Sequence, residues 1–273
     1  MRGLFVGGTD TGVGKSVLGA ALLAAMALAG ERVRAHKPVL TGLDDPGPGD
    51  RSPPPAGGRW PADHELLGAA AGMAPEEVAP LRYGPAVSPH LAAAMAGERI
   101  DPAELLAAGF AAAGAGTVIV EGVGGLLTPL TESYTVCDYA LALGLPVLIA
   151  ARPGLGTINH TLLTVAAARA AGLEVRAVVL TPWPSRPSCL ERSNRETIAR
   201  MAGVEVAGLP RVHHPHRDAL ARAAEGLPWR RWLGHGRPRT AAGTQDNPAR
   251  AASTTAAVTL ARSGSSMTYG GIV

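Results

Sequence analysis

The sequence predicts an α/β domain: a mostly parallel sheet flanked by helices on both faces. Two observations predict it. Short runs of Val, Ile and Leu alternate with longer Ala- and Leu-rich segments, and those runs are apolar throughout instead of at every second position. Strand–helix alternation calls for parallel strands joined by helical crossovers. Strands without a polar face are those covered on both sides.

In chain order, the apolar runs place strands at residues 4–6, 33–39, 117–120, 146–150, 175–180 and 204–208. The intervening segments place helices at residues 15–29, 63–71, 102–113, 136–143, 157–171 and 189–201. Residues 43–61 (LDDPGPGDRSPPPAGGRWP) interrupt this rhythm, and their Pro and Gly content reads as a loop.

Of 273 residues, 47% are apolar, enough for one large α/β domain, and this excludes a disulfide-stapled miniprotein. After Trp232 the composition falls to Ala, Ser, Thr, Gly and Arg, so the domain is expected over residues 1–233 and a disordered tail over 234–273. That tail holds Arg237, Arg239, Arg250 and Arg262 against Asp246, a net charge of +3 that accounts for the whole excess. A neutral body with a sparsely basic tail argues against a nucleic-acid surface.

Cys137 and Cys189 lie far apart with no CxxC pairing, so both are expected to be buried thiols in a reducing compartment. The N-terminus lacks a basic region followed by an apolar one, and residues 17–30 are too short to span a bilayer. The expectation is a cytoplasmic protein with no membrane partner.

Of 25 basic residues, 23 are Arg and two are Lys, at positions 15 and 37. Where composition favours Arg this strongly, a retained Lys suggests a site that needs a compact ammonium on a slim stem.

Lys15 closes the turn Gly7-Gly8-Thr9-Asp10-Thr11-Gly12-Val13-Gly14-Lys15-Ser16 between the first strand and the first helix. Such a turn aims successive N–H groups and a helix dipole at one point, where phosphate oxygens fit. Lys15 then reaches β- and γ-phosphates, and the Ser16 hydroxyl suits Mg²⁺. Five residues separate Gly8 from Gly14, one more than the usual spacing, so the loop is a variant. The fold class is accordingly P-loop NTPase-like.

Lys37 ends the second strand and overhangs the same crevice if the sheet is parallel; the alternative is a surface lysine. Glu121 ends the most apolar strand and precedes Gly122-Val123-Gly124-Gly125. A carboxylate there can hold Mg²⁺, or it can serve as a loop or helix-capping group. Asp63, at a helix start, reads on position alone as an N-cap.

The strings GTDTGVGKS (residues 8–16), KPVLTG (37–42), SPHLAA (88–93), VEGVGGLLTPL (120–130) and GLGTINHTLLT (154–164) occur in register. Together they resemble the dethiobiotin synthetase family over about residues 2–225. The resemblance implies a homodimer, with ATP as co-substrate and Mg²⁺ as cofactor. The implied reaction is ring closure of 7,8-diaminononanoate with CO₂, through a carbamate and a carbamic-phosphoric anhydride.

Carried over by motif, Lys15 stabilises the transferring phosphoryl group and Lys37 orients the carbamate. Thr11, Gly12, Val13, Gly14, Lys15 and Ser16 bind nucleotide together with Glu121. Thr181, Pro210, Arg211 and Val212 stand where the base is contacted. Ser16, Asp63 and Glu121 surround the metal, with Asp50 as the fallback ligand. Thr11, Lys37 and Thr41 contact substrate, and Gly154, Leu155, Gly156 and Asn159 receive its carboxylate across the subunit interface.

Thr181 replaces an Asn that often reads adenine in the family, and a hydroxyl offers less than an amide's paired donor and acceptor. The competing reading is a switch ATPase of the partitioning or metal-insertion type. Those proteins usually carry a further lysine early in the loop, where this chain has Asp10 and Thr11.

Overall fold

The computed structural model describes residues 1–44, 60–114 and 116–234. Its centre is β1 (Arg2–Gly8), whose Leu4, Phe5 and Val6 are fully buried. Around it lie β2 (Val33–His36), β5 (Thr117–Glu121), β6 (Val147–Ala151), β7 (Val175–Trp183) and β8 (Glu205–Pro210). The sheet order is β2-β5-β1-β6-β7-β8, with every pairing parallel.

Alternate residues of each strand feed two separate cores. Leu4, Val6 and Ile119 face one, while Phe5, Val118 and Val120 face the other. The first is covered by α1 (Lys15–Leu28), α2 (Asp63–Ala71), α9 (Arg217–Ala223) and α10 (Trp229–Leu233). The second is covered by α5 (Pro102–Ala113), α6 (Val136–Leu143), α7 (Thr157–Ala170) and α8 (Cys189–Ala202).

Side chains set several helix starts. Thr135 and Asp138 cap α6 reciprocally, Ser188 and Glu191 do the same for α8, and Asp101 accepts from the Ala103 N–H at α5. Each such cap contributes about 1 kcal/mol.

Four features differ from the expectation. The strand foreseen at 33–39 breaks after His36, because Pro38 has no N–H for the ladder. The chain then forms β3 (Val39–Leu40), paired in parallel with β4 (Leu81–Arg82) in a separate sheet. Two short helices, α3 (Pro75–Val78) and α4 (Pro89–Met95), carry too little periodicity to be read from sequence, and α9 and α10 escaped for the same reason. Cys189 is exposed instead of buried: it opens α8, whose buried positions are Asn194, Ile198 and Ala202. Cys137 is buried.

Most of the foreseen 43–61 loop, with Asp50, lies outside the described residues, as does the foreseen tail beyond Gly234. Among the described residues, no helix is long and apolar enough to cross a membrane.

Candidate active site

The carboxyl ends of β1, β2 and β5 are adjacent, since β1 and β2 both pair with β5. The turn after β1 delivers Lys15 and Ser16 into the first turn of α1, with Gly12 at φ 67° and Gly14 at φ 88°. Gly14 is required twice over: positive φ disfavours an L side chain, and a Cβ there would lie 2.7 Å from Thr181 Cγ2. Val13 is buried in the α1-side core, which anchors the loop from below. A Cβ at Gly8 would press on the Lys15 stem, 3.0 Å from its Cδ.

Lys15 is 6% exposed, and its Nζ donates to the Asp10 carbonyl at 2.8 Å. Burial, followed by the neighbouring charge of Lys37, pulls its pKa down to about 8. The two lysines therefore stand within electrostatic reach of each other.

Lys37 Nζ lies 2.5 Å from Glu121 Oε1 and 2.9 Å from Asp63 Oδ2. Ser16 Oγ donates to the same Glu121 oxygen at 2.9 Å. Burial alone would lower the Lys37 pKa, but Asp63 and then Glu121 outweigh it and raise it. Burial raises the Glu121 carboxyl despite Lys37. Asp63, with 41% of its side chain exposed, shifts downward: Lys37's charge and hydrogen bond, and a bond from Ser16, outweigh desolvation.

Asp63 is thus not an N-cap. Ala62 holds that position, and Asp63 is the first helical residue, turned to Lys37. Nor does Glu121 cap a helix.

Glu121 Oε2 is buried and finds no hydrogen-bond partner among the described residues. Together with the Ser16 hydroxyl and the Asp63 carboxylate it forms a hard oxygen set, which fits Mg²⁺.

A family model described as an AAA domain matches residues 2–214. The chain is 42% identical over 221 residues to the ATP-dependent dethiobiotin synthetase BioD of Anaeromyxobacter sp. (strain Fw109-5), covering 75% of this chain and 91% of that one. It is 40% identical over 230 residues to BioD of Anaeromyxobacter dehalogenans (strain 2CP-1 / ATCC BAA-258), covering 83% and 96%. Against BioD of Bacillus subtilis (strain 168) the figures are 34% over 212 residues, covering 77% and 87%. The chain belongs to the dethiobiotin synthetase family.

The remaining motif positions of this dethiobiotin synthetase family member are distributed as follows. Thr11 is exposed on the phosphate loop, and Thr41 follows β3 beside Gly42, whose N–H donates to the Pro85 carbonyl at 3.0 Å. Gly154, Leu155 and Gly156 form the turn before α7, where Leu155 is 91% exposed and Gly156 caps the helix at φ 88°. Asn159 is exposed in the first turn of α7. Thr181 is 3% exposed and turned onto Gly14 of the phosphate loop. Pro210 ends β8 and is exposed, as is Arg211, while Val212 packs partly against the α1-side core.

Two residues at this end of the sheet escaped the sequence reading. Arg152, just after β6, donates through Nη2 to the Thr11 and Gly12 carbonyls at 3.3 and 3.2 Å, bracing the phosphate loop. Asn194, 4% exposed on α8, donates through Nδ2 to the Pro153 and Gly154 carbonyls at 2.9 and 3.1 Å. An Arg at a strand end was a readable signal for the first. The second reaches 40 residues back along the chain and left no local signal.

Proposed function

We propose that this chain closes the cyclic urea of dethiobiotin from 7,8-diaminononanoate, CO₂ and ATP, releasing ADP and phosphate. The observation that carries the reading is Lys37 lying between Asp63 and Glu121, with Ser16 of the phosphate loop on the same Glu121 oxygen.

In the first step one substrate amine attacks CO₂, forming a C–N bond and a carbamate and losing a proton. A carbamate oxygen then displaces ADP from the γ-phosphorus, giving a carbamic-phosphoric anhydride. Finally the second amine attacks the carbamoyl carbon, expels inorganic phosphate, loses a proton and closes the ring.

Carbamate and γ-phosphate are both anions, so their approach needs positive charge fixed in advance. Lys15 and the N–H groups at the start of α1 would hold the phosphates, and Lys37 would orient the carbamate. Ser16, Asp63 and Glu121 would hold Mg²⁺, which when bound neutralises charge on the β- and γ-phosphates. Positioning of the two reactants supplies the remainder of the rate.

The Gly154–Asn159 turn would take the substrate carboxylate on backbone N–H groups at the start of α7. The exposed Leu155 and Leu163, at 91% and 61%, support a homodimer in which that turn serves the neighbouring subunit.

The test is phosphate release from ATP on adding the diamine and bicarbonate with Mg²⁺, together with mass detection of the product. Diamine-dependent release with dethiobiotin formed supports the reading. ATP hydrolysis indifferent to the diamine contradicts it.

A further inference from the structure

We propose that Tyr139 is a positioning residue that, through His36, fixes the direction of Lys37, resting on the role given to Lys37 above. Among the described residues β2 is an edge strand with β5 as its only sheet neighbour, and its last paired residue is His36, opposite Val120. Past that pair Lys37 has no ladder partner among the described residues, and Pro38 has no N–H to donate. The ammonium is gripped at its tip by Glu121 and Asp63, but the backbone that carries it lies past the ladder, at the end of an edge strand.

Besides those ion pairs, two bonds among the described residues hold that end. The Lys37 N–H donates to the Val78 carbonyl at 2.8 Å on the α2 and α3 side. On the opposite face His36 Nε2 stands 3.1 Å from the Tyr139 hydroxyl, which donates to the Leu105 carbonyl at 3.3 Å. With its proton committed to Leu105, the hydroxyl accepts from His36, so the imidazole proton sits on Nε2. Burial keeps that imidazole neutral, its pKa pulled down to about 4.

His36 is 1% exposed and Tyr139 fully buried. Placing two polar groups there is unfavourable unless each is bonded, so a requirement for packing alone would be met better by apolar side chains. The surroundings are shaped for the contact: a Cβ at Gly109 would lie 2.4 Å from the Tyr139 hydroxyl, so only glycine in α5 leaves it room. Neighbouring strand residues point to opposite faces, and a turn of His36 about the strand axis swings Lys37 the other way.

The experiment uses the full chain and compares wild type, Tyr139→Phe, His36→Leu, His36→Gln and the Tyr139→Phe/His36→Leu pair. Phosphate release with ATP, diamine and bicarbonate gives kcat and KM. Calorimetric ADP titration counts folded sites and gives nucleotide affinity.

Tyr139→Phe and His36→Leu are each expected to lower kcat about tenfold per folded site, the scale of a modest misplacement. KM for ATP and ADP affinity should stay within about twofold, because the phosphate loop hangs from β1. The pair should be no slower than either single variant, since both break one link. His36→Gln keeps an N–H near the same place and should retain most of the rate.

Unchanged kcat in Tyr139→Phe, losses that multiply in the pair, or ADP affinity falling in step with kcat would overturn the assignment. If His36→Leu does not fold, Tyr139→Phe and His36→Gln decide by the same readings. A wild-type chain without diamine-dependent phosphate release overturns the reaction itself, and the positioning role with it. An active wild type with an unaffected Tyr139→Phe removes only the positioning role.

Discussion

Lys37 Nζ sits 2.5 Å from Glu121 Oε1, and both side chains are nearly inaccessible, at 3% and 1% exposure. This buried pair and the more weakly compensated Lys15 divide the two lysines into opposite chemical states. Lys15 has a pKa near 8, whereas Lys37 is raised above the ordinary lysine value.

Only the neutral amine is nucleophilic, so at pH 8 an amine-reactive reagent should modify Lys15 far faster than Lys37. Mass spectrometry reads this without ambiguity because the chain has just these two lysines. ADP with Mg²⁺ should protect Lys15. Equal rates at the two positions would contradict the ion-pair geometry.

Gly14→Ala should damage the phosphate loop in two ways. The left-handed backbone costs an L residue about 1–2 kcal/mol, and the new methyl group meets Thr181 Cγ2. ADP affinity is expected to fall at least tenfold, about 1.4 kcal/mol. Adding Thr181→Ala should restore part of it by removing the clash while leaving the strain. No recovery would place the damage elsewhere.

Base discrimination should be weak. The Thr181 hydroxyl donates and accepts through a single atom, where an amide sets a donor and an acceptor side by side to match a base edge, and its side chain is turned onto Gly14. The expected ratio of kcat/KM between ATP and other nucleoside triphosphates is below about tenfold, well short of what a dedicated hydrogen-bonding site achieves. A hundredfold preference for ATP would show that other groups read the base.

His36 predicts a specific pH dependence of stability. Folded, it stays neutral down to about pH 4, whereas the unfolded chain takes up that proton near pH 6.5. Its contribution is therefore complete above pH 6.5 and is lost as pH falls toward 4, about 3 kcal/mol in all. Urea unfolding at pH 7 and 4.5 should show wild type losing more stability than His36→Gln. Parallel losses would mean that His36 protonates without penalty when folded.

Much of this architecture is legible before any coordinates. The turn at residues 7–16 sits between a strand and a helix, and parallel order brings strand ends together, so Lys37 and Glu121 could be placed on one crevice with Lys15. Asp63 was legible as a helix start, but its partner was not: the turn toward Lys37 depends on how α2 packs. Position along the chain says nothing of contacts such as His36 with Tyr139, 103 residues apart, or Asn194 with the Pro153 and Gly154 carbonyls. Pro38 signals the break after His36, but the apolar residues on either side of it carry the strand pattern through. Cys189 is exposed because cysteine's general preference for burial does not decide which face of α8 meets the core.

The central claim is that the Lys37 ammonium serves the reacting carbamate and not the nucleotide. Lys37→Ala tests it most directly, with diamine-dependent phosphate release and ADP affinity measured on the same preparation. The predicted result is turnover lost by at least about a thousandfold, a scale consistent with removing a principal electrostatic group, with ADP affinity within a few-fold of wild type. Retained turnover, or an equal loss of turnover and ADP affinity, would contradict it.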